Sequence, residues 1–117
     1  MDAPIYKGII YAILDEEYFY IGSTRRSVLE RMGEHMRESK KKNVKSKLYK
    51  YINEVRGDWV DILYITLEEI ECTDEELRNI EYSYIRNHIT DEYCLNTLVN
   101  DKQKYIINAI KKKYRKK

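Results

Sequence analysis

A chain of 117 residues has room for one compact domain around one core, and at 43% apolar and 36% charged it can fold. No apolar run approaches the ~18 residues that a membrane span requires, so the expected protein is soluble and has no membrane partner. Two cysteines, Cys72 and Cys94, lie far apart without metal-ligand spacing and read as reduced thiols, which argues against both a disulfide scaffold and a structural zinc site.

Met1-Asp2-Ala3-Pro4 has neither the positive start nor the apolar core of a secretory signal, and with reduced thiols the expectation is an intracellular protein, cytoplasmic or nuclear. Ile9, Tyr11 and Ile13 alternate with Ile10, Ala12 and Leu14, so both faces of the first segment are apolar and it reads as a central strand. Asp15-Glu16-Glu17 breaks the run. Tyr18 to Gly22 is a second strand, and the short connection makes an antiparallel hairpin. A turn at Asp15-Glu16 pairs Tyr11 with Tyr20, whereas a three-residue turn shifts the pairing by one; the two hydroxyls meet only if both rings share a face.

Ser23 and Thr24 are natural caps for a helix from Arg26 or Ser27 to Arg37. At 100° steps, Val28, Leu29, Met32 and Met36 form its apolar stripe, and Arg31 and His35, four apart, fall together on the shoulder beside the hairpin. Each alone has a bland reading, a solvated arginine and an incidental histidine. Two tyrosines on neighbouring strands with an arginine–histidine pair behind them are instead suited to handling a phosphodiester.

Beyond the Lys40-Lys41-Lys42 linker, Val44, Leu48, Tyr51, Ile52 and Val55 fit a second amphipathic helix closed by Gly57. Trp59 to Ile65 or Leu67 alternates as a third strand. Thr73 and Glu76 have capping-box spacing, which predicts a third helix from Asp74 to about His88 with Leu77, Ile80, Tyr84 and Ile85 as its stripe. Glu81 falls in the middle of that stripe. A carboxylate facing a core costs several kcal/mol unless compensated, either by an ion pair, for which Arg31 is the candidate, or by a bound divalent cation. The metal ligand is the reading taken, because catalytic sites hold such misplaced charges more often than cores do. Cys94-Leu95-Asn96 is a short extended piece, and a basic C-terminal helix follows over 100–117.

The charges are segregated. Arg37 to Lys50 carries seven Lys/Arg against one Glu, and Leu98 to Lys117 eight against one Asp, while Glu54 to Glu92 holds twelve acidic residues and three arginines. Two basic segments flanking an acidic middle suggest a polyanion partner, with Lys40, Lys41, Lys42, Lys45 and Lys47 as backbone contacts. A solvated surface is the competing reading for each segment.

At these residues the chain resembles the GIY-YIG endonuclease superfamily. Gly8-Ile9-Ile10-Tyr11 is similar to the first motif, one residue longer, with the tyrosine as the aligned position. Tyr20-Ile21-Gly22 is the second motif unaltered. Arg31 and His35 match the family's helix pair, Glu81 its metal-binding glutamate and Asn96 a following asparagine, so the resemblance covers roughly residues 7–96. It implies an α+β fold, a three-stranded antiparallel sheet flanked by helices, in a single domain over 1–117. It also implies a DNA endonuclease using one Mg²⁺ or Mn²⁺ held by Glu81. Tyr11 would activate the attacking water with help from Tyr20 and His35, Arg31 would pair with the scissile phosphate, and Asn96 would contact substrate. The products would be a 5′-phosphate and a 3′-hydroxyl, one strand being nicked per site. Specificity would come from the domain, the basic tail, a second copy of the chain or another protein. The alternative is a nucleic-acid-binding or scaffolding module that keeps the fold without cleaving.

Overall fold

The computed structural model describes residues 3–88 and 91–96; the basic helix expected over 100–117 lies outside them. Strand β1, Tyr6–Asp15, is the centre of a three-stranded antiparallel sheet of order β2-β1-β3, with β2 at Tyr18–Thr24 and β3 at Leu63–Cys72. Three helical segments complete the fold: α1, Val28–Ser39; α2, Lys47–Lys50, running on into a wider π-helical stretch, Tyr51–Arg56; and α3, Asp74–Arg86. The sheet with helices on both faces is the α+β architecture expected. Among the described residues no helix is long and apolar enough to cross a membrane.

The continuous apolar run of β1 is explained by its two packed faces. Ile9, Tyr11 and Ile13 meet Val28 and Met32 of α1 and Leu48, Tyr51 and Ile52 of α2, whereas Ile10 on the other face joins Ile21 of β2 and Leu77 and Ile85 of α3. Cys72 and Cys94 are both buried and unbridged.

The hairpin register differs from both sequence alternatives. The turn is Glu16-Glu17, and Asp15 stays in the strand opposite Tyr18, so Tyr11 pairs with Gly22 and Ile13 with Tyr20. Asp15 is kept there by side-chain bonds: Tyr51 donates its hydroxyl proton to one carboxylate oxygen, and Arg56 Nε lies 3.2 Å from the other. In this register Tyr11 and Tyr20 share one face on a diagonal, with ring centroids 6.4 Å apart.

Helix α1 starts later than expected because Ser27, not Ser23 or Thr24, accepts the hydrogen bond from Glu30 N–H as its cap. Its buried stripe is Val28, Met32, His35 and Ser39, one step round from the predicted stripe, leaving Leu29 70% exposed. His35 is therefore inside the core edge and not on the shoulder. In the second half of α2 the π-type winding turns Val55 outward to 71% exposure while Tyr51 and Ile52 remain buried. Gly57, at φ 100°, closes the segment and donates to Ile52 O at 2.6 Å.

The third strand begins four residues beyond the predicted start, because Trp59 and Ile62 pack against the α1–α2 side of the core instead. β3 is an edge strand exposed along most of its length, so Glu68, Glu69 and Glu71 are tolerated in it, and a register shift opposite Ile10 and Tyr11 takes up Leu67 as an extra residue. Thr73 and Glu76 form the expected capping box of α3. Gly8 lets this helix pack closely: a Cβ there would lie 2.7 Å from Leu77 Cδ1 and would force that side chain to shift.

Asn96, taken from sequence as a substrate contact, has a different duty. It is 6% exposed, its Oδ1 accepts from Ile21 N–H at 3.0 Å and its Nδ2 donates to Ile21 C=O at 2.7 Å. With the parallel bridge of Cys94 to Phe19, this amide covers the outer edge of β2. Replacing it by alanine strips partners from two buried backbone groups at once. Asn96→Ala should lower unfolding free energy by about 1–3 kcal/mol, read as a shift in urea midpoint with unchanged slope.

Candidate active site

The site is assembled where β1, β2, α1 and α3 come together. Tyr11 arrives from the middle of β1 and is fully buried; its ring lies over Gly22, directly opposite on β2. That glycine is needed for room, since a Cβ at position 22 would sit 2.5 Å from the Tyr11 hydroxyl oxygen and 3.0 Å from the Tyr20 ring. The second glycine-containing motif thus holds open the space that the first motif's tyrosine fills.

His35 faces Tyr11 from α1. Its Nε2 and the Tyr11 hydroxyl share a hydrogen bond of 2.7 Å, and Tyr20 is edge-on to the same imidazole at 5.5 Å. The second ring nitrogen, Nδ1, shares a 2.8 Å hydrogen bond with the Tyr49 hydroxyl from α2. Trp59 stacks on the imidazole at 6.2 Å and 23°, held by donation of its indole N–H to Ser39 Oγ at 2.9 Å. The imidazole is 1% exposed and packed between aromatic rings.

Arg31 lies one turn before His35, partly buried. It bonds Glu34 at 3.1 Å, and it is close enough to Tyr11 for its charge to favour the ionised phenol. The considered ion pair with Glu81 is replaced by this one with Glu34. Glu81 is half-buried on α3, near Ser23 at the end of β2, whose polar groups favour the ionised carboxylate.

Burial sets the protonation of the group. It drives the Tyr11 phenol far above its ordinary value, with Tyr20 adding to the effect and Arg31 opposing it. Tyr20 is pushed up to about 12 by burial and then by the nearby Glu81 charge. The His35 imidazole is lowered to about 3, first by burial and then by the Arg31 guanidinium. Burial also raises the Glu81 carboxyl, against the nearby polar groups of Ser23 and the Arg31 charge, which favour its ionised form. At neutral pH the two phenols and the imidazole are all uncharged.

Five of the residues selected from sequence, Tyr11, Tyr20, Arg31, His35 and Glu81, thus converge on one site. The lysines are placed separately: Lys40, Lys41, Lys42, Lys45 and Lys47 are exposed along the α1–α2 connection and the start of α2, with Lys41 paired to Glu38 at 3.0 Å. Among the described residues no three His, Cys, Asp or Glu side chains cluster as a metal cage. A half-buried carboxylate near the Tyr20 and Tyr11 phenols offers hard oxygen donors, which fits a cation that keeps most of its shell as water and phosphate oxygen.

Sequence reading missed three contributors: Ser23, Tyr49 and Trp59. Ser23 had been read as a helix cap, and Tyr49 lay off the predicted stripe of α2. A usable signal was the twelve tyrosines against one phenylalanine, a composition that places hydroxyls wherever rings are buried.

The residues brought together here fall within the span of a family model, the GIY-YIG catalytic domain, which matches residues 7–93. Comparison with curated proteins and with solved structures finds no match. The family match covers most of the 117 residues, and by it the chain belongs to the GIY-YIG nuclease family.

Proposed function

We propose that this protein is a metal-dependent DNA endonuclease that hydrolyses one phosphodiester per visit, leaving a 5′-phosphate and a 3′-hydroxyl. The observation that carries the proposal is the buried 2.7 Å bond between Tyr11 and His35, close enough to Arg31 and Glu81 for both charges to act on the Tyr11 phenol. A phenol and an imidazole bonded out of water can hand a proton along a fixed line. A tyrosine that only packs needs some partner for its buried hydroxyl, but not an imidazole that shares its surroundings with a guanidinium and a carboxylate.

Glu81 would hold a Mg²⁺ or Mn²⁺ ion, with Ser23 and Arg31 favouring its ionised form, and such an ion supplies Lewis-acid stabilisation of charge on the phosphate and the leaving oxygen. Tyr11 accepts a proton from the attacking water as its own passes to His35, with the Tyr20 ring 6.4 Å from that of Tyr11. Arg31 pairs with the scissile phosphate through guanidinium N–H groups and stabilises the charge that builds there. The lysines of the α1–α2 connection contact backbone phosphates, which position DNA without reading its sequence.

The direct test is a supercoiled-plasmid time course with Mg²⁺ and with chelator. Nicked circle should precede linear product even at the lowest enzyme concentration, and chelator should stop both; linear product with no nicked precursor would contradict a single-site monomer.

Glu81→Gln should abolish metal-dependent cleavage yet leave the fold as stable or more so. The sign follows from the raised carboxyl: its contribution to stability is greatest in acid and declines as pH rises through the folded-state value, and glutamine removes that decline. Cleavage by the purified variant at the wild-type rate would defeat the assignment, and urea unfolding at acid and neutral pH checks the stability half.

Tyr11→Phe and Arg31→Ala should each cut turnover by about 100-fold or more while changing DNA affinity little, since both act mainly in the transition state. Single-turnover rates alongside binding isotherms separate the two quantities.

A further inference from the structure

We propose that Tyr49 is the outer end of a proton relay, Tyr11–His35–Tyr49, that carries the proton of the attacking water out of the buried site. This rests on the nuclease reading and adds a residue outside the five matched positions. The geometry is that both nitrogens of one imidazole are taken by phenols, Nε2 by Tyr11 at 2.7 Å and Nδ1 by Tyr49 at 2.8 Å.

A neutral imidazole has one donor nitrogen and one acceptor, so the two phenols cannot both donate to it. When Tyr11 donates to Nε2, Nδ1–H donates to Tyr49. In the opposite arrangement Tyr49 donates to Nδ1, and Nε2–H donates to Tyr11. Passing from the first arrangement to the second moves protons outward along the line and leaves no charge behind on the ring.

The steps balance. Water oxygen forms its bond to phosphorus as its proton goes to the Tyr11 oxygen; the Tyr11 proton goes to Nε2, the Nδ1 proton to the Tyr49 oxygen, and the Tyr49 proton to solvent. The bond from phosphorus to O3′ breaks with its electron pair on O3′, which takes a proton from solvent. His35 gains one proton and loses another.

That neutrality matters because of what surrounds the ring. Tyr11 faces it from β1, Tyr20 from β2, Arg31 from its own helix, Tyr49 from α2 and Trp59 from the loop after α2. None of these is a carboxylate, and Arg31 opposes an imidazolium directly. A two-residue scheme ending at His35 would strand a positive charge in this setting, whereas Tyr49 removes it.

Tyr49 is placed for the task. It is half-buried where His35 is sealed, its hydroxyl is on the imidazole, and its backbone N–H is fixed by the Ser46 cap at 3.3 Å. Its ring is edge-on to Trp59, and Arg31, Glu34 and Glu38 of α1 supply the charges around its hydroxyl.

The test uses the full chain with Tyr49→Phe and Tyr49→Gln. Glutamine can accept from Nδ1–H and hold the ring, but cannot pass a proton on. Both variants should cleave about 10- to 100-fold more slowly than wild type at saturating DNA, with unchanged affinity, and the rate in H₂O–D₂O mixtures should change from a curved to a straight dependence on deuterium content. Wild-type speed in the phenylalanine variant, or recovery in the glutamine variant, would overturn the relay. Nitrogen-15 NMR of His35 judges it without cleavage: the ring should be neutral in wild type and Tyr49→Phe with an altered tautomer balance, and an unaltered balance would overturn it. A wild-type protein that cuts no DNA would sink the nuclease reading alone.

Discussion

The hydrogen bond between the Tyr11 hydroxyl and His35 Nε2 ties the centre of the sheet to α1, and much of the surrounding sequence is arranged to let it form out of water. Two polar groups buried without each other would each carry a desolvation penalty, so the pair fixes the depth and rotation of α1 against β1. This accounts for a helix that presents His35 and Ser39 inward while leaving Leu29 outside. Hydrophobic burial alone would have chosen the other face.

The same bond places demands on both strands of the hairpin. Gly22 must lack a side chain for the Tyr11 ring to lie across it, and Asp15 must stay in β1 for that register to hold. Tyr51 and Arg56, from the π-wound part of α2, supply the partners that keep Asp15 there. A segment remote from the chemistry thereby decides which residue lies opposite Tyr11. On the other edge of the hairpin, Asn96 closes β2 with its side-chain amide.

Much of this was legible in the sequence where a single local rule governs. The central strand followed from two apolar faces, and the capping box at Thr73 and Glu76 marked the start of α3. Glu81 stood out because a carboxylate in an apolar stripe needs a reason. What was not legible depended on contacts between distant residues: the turn residue count was set by Tyr51 and Arg56, and the rotation of α1 by a polar pair. The π winding after Lys50 defeats any stripe drawn at 100° steps, which is why Val55 was misplaced. The extent of β3 was not legible because the alternation begins in Trp59 and Ile62, which pack against the core cluster of α1 and α2, and fades over Glu68 to Glu71, where the strand is exposed. Asn96 was seen as a site residue because its position in the motif order says nothing about which atoms its amide will meet.

Trp59 has one more consequence. It is the sole tryptophan of the chain, and its indole lies against the His35 imidazole with Tyr49 at its edge. The emission of an indole is sensitive to the charge and polarity of whatever touches its face. The protein therefore carries a built-in optical reporter whose signal belongs to one residue, and any change around the imidazole when DNA is added is open to stopped-flow fluorescence without any attached dye.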